Sequence, residues 1–347
     1  MPQPVLADLG WSAYFLHQLA PDEIGRLIPA RLTAIHRDRV DAISVDGPLR
    51  LTLPNGLSTG EVAVGDWVLA EAGRVNRVLD RETVLSRWAA GTSETRQLIA
   101  ANLQTLAIVT SCTDEFNAGR LERFLALARS GGVAPLIVLT KADITDPAPY
   151  IKAAGAVAMG APVLALDGRD PNAAAVLLPW CGRGQTLGLV GSSGVGKSTL
   201  AGSLAGLVLD TGPVREHDSR GRHTTTARFL LPLASGGWLI DTPGMRELRL
   251  DDAGAGIVAA FDDITTLAAG CRFSNCTHAA EPGCAVQAAI AAGDMQPDRL
   301  ARWMKLLRED RAVTTPRHEA HARNRAFGKL ARKATQAKRA RWGEAED

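Results

Sequence analysis

Lys197 and Ser198 close the run Gly191-Ser192-Ser193-Gly194-Val195-Gly196-Lys197-Ser198, which fills the pattern G-x-x-x-x-G-K-[ST]. Its chemistry is phosphate binding. The glycines let backbone N–H groups converge on phosphate oxygens where a Cβ would obstruct them. Lys197 adds a point charge at the β and γ phosphates, and Ser198 offers a hydroxyl to Mg²⁺. An apolar strand precedes the turn, and a helix opening near Lys197 aims its positive end at the same anion. Ser192, Ser193, Gly194, Val195 and Thr199 complete the nucleotide-contacting set.

Downstream, Asp241 ends the apolar run "GWLI" and opens "DTPG". An acid at a strand end beside a phosphate turn suits a Mg²⁺ ligand, usually through water. Gly244 can offer a backbone N–H to a γ-phosphate. Between the two motifs lies "GRHTTTARF", where one of Thr224, Thr225 or Thr226 could complete the Mg²⁺ shell in the triphosphate state. Upstream, "TKAD" (Thr140, Lys141, Asp143) follows the strand "LIVL" and matches [NT]-K-x-D. A carboxylate there accepts both N–H groups of a guanine edge, which adenine lacks, while Lys141 lies along the base. Asp143 therefore selects guanine.

A second constellation is Cys271, Cys276, His278 and Cys284, spaced C-x4-C-x-H-x5-C. Three thiolates and one imidazole make a closed tetrahedral shell of the structural zinc type, which holds a fold rather than doing chemistry. The basic run from Arg311 to Trp342, with Phe327 and Trp342 interleaved and Glu319 its single acid, suits phosphate and base contacts to RNA, or else a solvated helix.

The elements that must position these residues follow from pattern. The chain of 347 residues is long enough for two or three domains at roughly 150 residues each. Hydrophobic residues make up 46% and the formal net charge is only +2, so no whole-protein field dictates a partner. Residues 1–27 carry no usable motif. Five short β-rich runs separated by turn residues follow within 28–92, the spacing of an OB-type barrel. From 93 to 262 strands alternate with helices, which implies a mostly parallel sheet covered on both faces, a P-loop α/β domain. Residues 263–347 read as a small helical zinc-binding domain with the basic tail. The start lacks a basic region followed by an apolar core, no strongly apolar run of membrane-spanning length occurs, and the cysteines cluster as metal ligands rather than disulfides. A cytoplasmic protein without a membrane partner is expected, and a monomer, since no coiled-coil seam is visible.

The motif order is informative. Guanine-reading residues normally follow the phosphate and Mg²⁺ motifs, and here they precede them, so the expected unit is a circularly permuted GTPase domain. Met245 stands where Ras-like GTPases place a water-orienting glutamine. A thioether cannot orient water usefully, so slow intrinsic hydrolysis is expected. His223 is the candidate for the missing polar contact, with a solvated loop histidine as the alternative.

Together "QLIAANLQTLAIV", "TKAD", "GSSGVGKST", "GRHTTT", "DTPGMREL" and "CRFSNCTHAAEPGCAV" resemble the ribosome small subunit-dependent GTPase A (RsgA) family over nearly the whole chain. The resemblance implies GTP hydrolysis to GDP and phosphate with Mg²⁺, stimulated by the 30S subunit, a role in late maturation of that subunit, and rRNA contacts by the barrel and zinc domain. It favours Thr225 as the Mg²⁺-shell threonine. Thr140 replaces a more usual asparagine. Leu164-Ala165 replaces a serine-alanine base loop, leaving the Ala165 N–H to meet the guanine oxygen. Competing readings are a nucleotide-gated RNA-binding scaffold with incidental turnover and a permuted GTPase acting on the large subunit.

Overall fold

The computed structural model describes residues 4–88, 96–170, 172–206, 229–241, 257–258 and 260–314. A one-turn helix α1 (Ala13–Leu16) precedes five strands: β1 (Ile28–Ile35), β2 (Val40–Ser44), β3 (Gly47–Leu51), β4 (Trp67–Glu71) and β5 (Arg74–Val78). Alternation in β2 buries Val40, Ala42 and Ser44 and leaves the residues between them half-exposed, the pattern of a strand with one face on a core. The five pair antiparallel in the order β3-β2-β1-β4-β5. Just past β3, Thr52 meets β5 in parallel: its N–H donates to the Gly73 carbonyl (3.1 Å) and its carbonyl accepts from Val75 N–H (2.9 Å). Leu32, Val40, Leu51, Val62, Val68 and Val75 form the core they share.

An antiparallel hairpin follows, β6 (Val84–Trp88) and β7 (Arg96–Ala101). Only three residues separate β7 from the next strand. The first, Asn102, has a φ of 58°, and its side chain accepts from Glu82 N–H and donates to the Gly65 carbonyl.

The second half of the sheet comprises β8 (Thr105–Ser111), α2 (Ala118–Ser130), β9 (Ala134–Thr140), α3 (Ala148–Ala158), β10 (Val163–Ala165), α4 (Ala173–Leu177), β11 (Thr186–Val190), α5 (Lys197–Ala205), β12 (Phe229–Pro232) and β13 (Trp238–Asp241). Spatial order is β10-β9-β8-β11-β13-β12, parallel except for β12. β8 is buried along its whole length, as a parallel strand covered on both faces must be. Leu106 and Ile108 join the core beneath α2 and α3, whereas Ala107 and Val109 join the core beneath α4 and α5. Each fully buried aliphatic side chain stabilises by roughly 1.5–3 kcal/mol. A single pairing, Ala34 with Phe229, joins β1 to β12 and makes the sheet continuous across both halves.

The N-terminal segment, without a motif in sequence, is fastened to both halves. Arg31, 1% exposed, donates to the carbonyls of Leu9 (2.7 Å) and Asn102 (2.9 Å). Trp11 packs edge-on to Trp67 at 4.8 Å. Trp238 Nε1 donates to the Asp8 carbonyl at 2.8 Å, and the Asp8 carboxylate pairs with Arg183.

C-terminal to the sheet, α6 (Asp262–Ala269), α7 (Ala285–Ala292) and α8 (Pro297–Thr314) surround Phe261, Ile264, Val286, Leu300, Trp303 and Leu306. Ala126 of α2 belongs to the same core. Beside it Glu122, fully buried, accepts from Arg299 Nη1 (2.8 Å) and Arg302 Nε (2.6 Å), and Arg299 also pairs with Asp263 (2.6 Å). No described helix is long and apolar enough to cross a membrane.

Candidate functional site

Parallel strands deliver their carboxyl ends to one edge of a sheet, where open α/β folds bind ligands. The register aligns these ends: Val190 lies beside Ile108, Ser111 beside Thr140, Leu139 beside Ala165, and Gly188 beside Ile240. The turn after β11, the turn after β9, the end of β10 and Asp241 at the end of β13 therefore emerge together. Residues 191–199, Thr140, Lys141, Asp143 and Ala165 are brought to one place from separate stretches of chain.

The turn after β11 owes its shape to Gly191, Gly194 and Gly196, all at positive φ. Gly191 has a φ of 150°, and a Cβ there would stand 2.0 Å from the Val109 carbonyl oxygen. Gly196, at 90°, is the N-cap of α5 and faces Thr140 Oγ1 at the distance of an added methyl. Lys197 folds back so that its Nζ donates to the Ser192 carbonyl. Val195 is fully buried and anchors the loop in the core under α4 and α5.

On the neighbouring turn, Thr140 is 1% exposed and its hydroxyl faces two carbonyls, Val195 at 2.6 Å and Thr110 at 3.0 Å. Lys141 takes a left-handed φ of 58°, which swings the chain out of the strand so that Asp143 is exposed beyond the sheet edge. Leu166 N–H donates to the Leu139 carbonyl at 2.9 Å, which seats the half-buried Ala165 beside that turn. Asp241 is placed by its backbone at the end of β13, opposite Phe229. His223, Thr225 and Gly244, with the other threonines of their loop and Met245, lie outside the described residues, as does the basic run from residue 315 onward.

Sequence reasoning missed Arg120. From the first turn of α2 its Nη1 donates to Ser192 Oγ on the turn after β11. An arginine in a helix with no motif around it carries no signal in sequence.

The ligand atoms of Cys271, Cys276, His278 and Cys284 all lie within 4.8 Å of one another. The Cys271 and Cys284 sulfurs are 3.8 Å apart and each is 3.5 Å from His278 Nδ1. Tetrahedral zinc with Zn–S bonds of about 2.3 Å requires S–S edges of about 3.8 Å, so donor set and spacing fit that ion. Local structure fixes the donors: Cys284 caps α7, accepting from Gln287 N–H. His278 takes a φ of 58°, and its carbonyl accepts from Gln287 Nε2. Trp303 of α8 packs against the imidazole at 5.6 Å.

The RsgA GTPase family model matches residues 78–251. Over 318 residues the chain is 52% identical to the small ribosomal subunit biogenesis GTPase RsgA of Mesorhizobium japonicum, covering 90% of this chain and 91% of that protein. It is 44% identical over 341 residues to small ribosomal subunit biogenesis GTPase RsgA 2 of Vibrio parahaemolyticus, covering 97% and 94%. Among solved structures it is similar to YjeQ from Thermotoga maritima, with a TM-score of 0.60 at 22% identity over 82% of this chain and 98% of that one. It is also similar to YloQ, described as a circularly permuted GTPase, with a TM-score of 0.59 at 22% identity over 84% and 98%. The likeness to these two is one of fold: a circularly permuted GTPase.

Proposed function

Because the chain belongs to the RsgA GTPase family and is a GTP hydrolase, we propose that it acts on the small ribosomal subunit late in that subunit's maturation, with turnover stimulated by the 30S particle. The observation that carries the reading is the convergence at one sheet edge of the base turn, the phosphate turn and the Asp241 strand, in permuted chain order, followed by a four-ligand Cys/His cluster.

In this reading Asp143 accepts the N–H pair of guanine, Lys141 lies along the base and the Ala165 N–H meets the guanine oxygen. The amides of 191–196, with Lys197, Ser198 and Thr199, hold the phosphates. Ser198, Thr225 and Asp241 would hold a Mg²⁺, which would supply neutralisation of the phosphate charge. Gly244 contacts the γ-phosphate through its N–H, and His223 orients the attacking water in place of the residue at Met245.

The five strands β1–β5 act as an OB-type barrel. The reading is supported by their order and by the parallel contact of Thr52 with β5, which brings the last strand back toward the third. Residues 4–27 brace this unit against the GTPase unit of 93–262. The unit from 263 onward is built around one structural Zn²⁺, and it contacts rRNA together with the barrel and the basic tail. The protein works as a cytoplasmic monomer.

Steady-state GTP hydrolysis by the purified protein, alone and with 30S or 50S subunits and with ATP as control, tests the proposal. Slow turnover that rises strongly with 30S alone is expected. Tight GTP binding with no response to either subunit would instead favour a nucleotide-gated RNA-binding scaffold, and a response to 50S alone a large-subunit factor.

A further inference from the structure

Ser192 is held from two sides. Lys197 Nζ donates to its carbonyl, and Arg120 Nη1 donates to its hydroxyl. The same Arg120 nitrogen lies 3.4 Å from the Glu115 carbonyl and 3.9 Å from the Glu115 carboxylate, so the side chain bridges the loop before α2 and the phosphate turn. The backbone under Arg120 is fixed as well. Asn117 caps α2 by accepting from the Arg120 N–H at 2.9 Å, and two residues further Glu122 is buried between Arg299 and Arg302. A half-exposed arginine thus stands on an anchored helix and grips the outer wall of the turn.

We propose that Arg120 is a positioning residue for GTP hydrolysis, which acts through Ser192 to hold the phosphate turn in its working shape. The inference rests on the reading of residues 191–198 as the phosphate site. Its physical content is preorganisation: amides aimed at developing charge stabilise a transition state only if they need not move. A displacement of about 1 Å can cost up to a hundredfold in rate. Arginine suits the task because its fork is always charged and can reach two acceptors at once. Ser192 presents its side-chain oxygen to that fork. Arg120 reaches the site through Ser192, on the phosphate turn, so its effect should fall on kcat more than on nucleotide affinity.

The test compares Arg120→Ala, Arg120→Lys, Ser192→Ala, the Arg120→Ala/Ser192→Ala double variant and Lys197→Ala in GTP turnover and GDP binding. Thermal midpoints confirm that each is folded. Loss of a charge-assisted hydrogen bond predicts that Arg120→Ala lowers kcat about tenfold or more while the Kd for GDP stays within about threefold. Arg120→Lys should recover part of the loss. Ser192→Ala should match Arg120→Ala, and the double variant should be no worse than either, because both remove one interaction. A kcat for Arg120→Ala within about twofold of the parent, or losses that multiply in the double variant, would overturn the proposal. If Arg120→Ala is silent while Lys197→Ala abolishes turnover, the role of Arg120 fails and the phosphate site stands. If Lys197→Ala is itself silent, the phosphate assignment fails and takes this inference with it.

Discussion

Thr140 Oγ1 lies 2.6 Å from the Val195 carbonyl, so the turn that should read the base is tied directly to the turn that should hold the phosphates. Both residues are buried. The hydroxyl has one proton, which it gives to Val195 or to the Thr110 carbonyl at 3.0 Å, one at a time. In sequence, a threonine in place of asparagine reads as the loss of an amide contact. In the fold the shorter side chain still spans the gap between the two turns.

Thr140→Val keeps the shape and removes the donor. Leaving a buried carbonyl without that partner costs about 1–3 kcal/mol of stability, and with the tie between the two turns lost, GTP and GDP should both bind more weakly. Titration with a fluorescent guanine nucleotide reads this directly. Undiminished affinity for both nucleotides would mean that the bridge does not shape the site.

What was legible in the sequence was chemistry written in consecutive residues. The runs at 140–143, 191–198 and 271–284 each carry their own spacing, and apolar runs such as β8 and β9 announce themselves because both of their faces are buried. Contacts between distant stretches left no such trace. Arg31 satisfies carbonyls at Leu9 and Asn102. Glu122 faces arginines that lie 177 and 180 residues further along the chain. Neither position shows periodicity or a motif, since only the folded chain puts the partners side by side. The hairpin β6–β7 was not legible either, because its two strands pair with each other in a separate small sheet and lie between the five-strand run and the alternating α/β pattern.

Asp143 is exposed at the sheet edge beyond Lys141, with room for its carboxylate to meet a base. Asp143→Asn replaces one acceptor oxygen by a donor, which mismatches guanine and suits xanthine. The expected outcome is a switch of preference from GTP toward XTP in competitive turnover assays. Retained preference for GTP would remove Asp143 from base recognition.

Four donors within 4.8 Å of one another, with a 3.8 Å sulfur–sulfur separation, predict one zinc per chain by metal analysis. Cys276→Ser should release it. Because metal binding in such modules is also folding free energy, the loss should expose the segment from 271 to 284 to proteolysis. A variant that stays metal-free, yet as protease-resistant as its parent, would argue that the cluster is not structural.

Glu122 ties α2 to Arg299 and Arg302 of α8. Its removal leaves Arg302 without its carboxylate and Arg299, 9% exposed at the side chain, with Asp263 as its remaining counter-charge. Arg299 keeps Asp263 and Arg302 is partly exposed, so the cost falls below the roughly 3–5 kcal/mol of a buried charge left wholly unpaired. Glu122→Ala should therefore lower the melting temperature and separate the unfolding of the C-terminal helices from that of the sheet. One unshifted cooperative transition in calorimetry would show that the apolar contacts around Ala126 and Trp303 suffice.

The N-terminal segment should show its fastening through acid. Glu23 accepts from Arg77 Nε (2.8 Å) and Nη2 (2.7 Å) and from Ala20 N–H (2.9 Å), and these bonds, the arginine first, bring its carboxyl from 4.5 down to about 2. A carboxyl whose folded pKa lies below its unfolded one contributes stability that is complete above the unfolded value. That contribution is lost as the pH falls toward the folded value. The window is thus about 4.5 to 2. Glu23→Gln should be less stable than its parent above about pH 4.5, and the difference should vanish as the pH approaches about 2. Denaturant midpoints of both proteins at several pH values measure it. A gap that persists unchanged through that window would mean that Glu23 acts by packing rather than by charge.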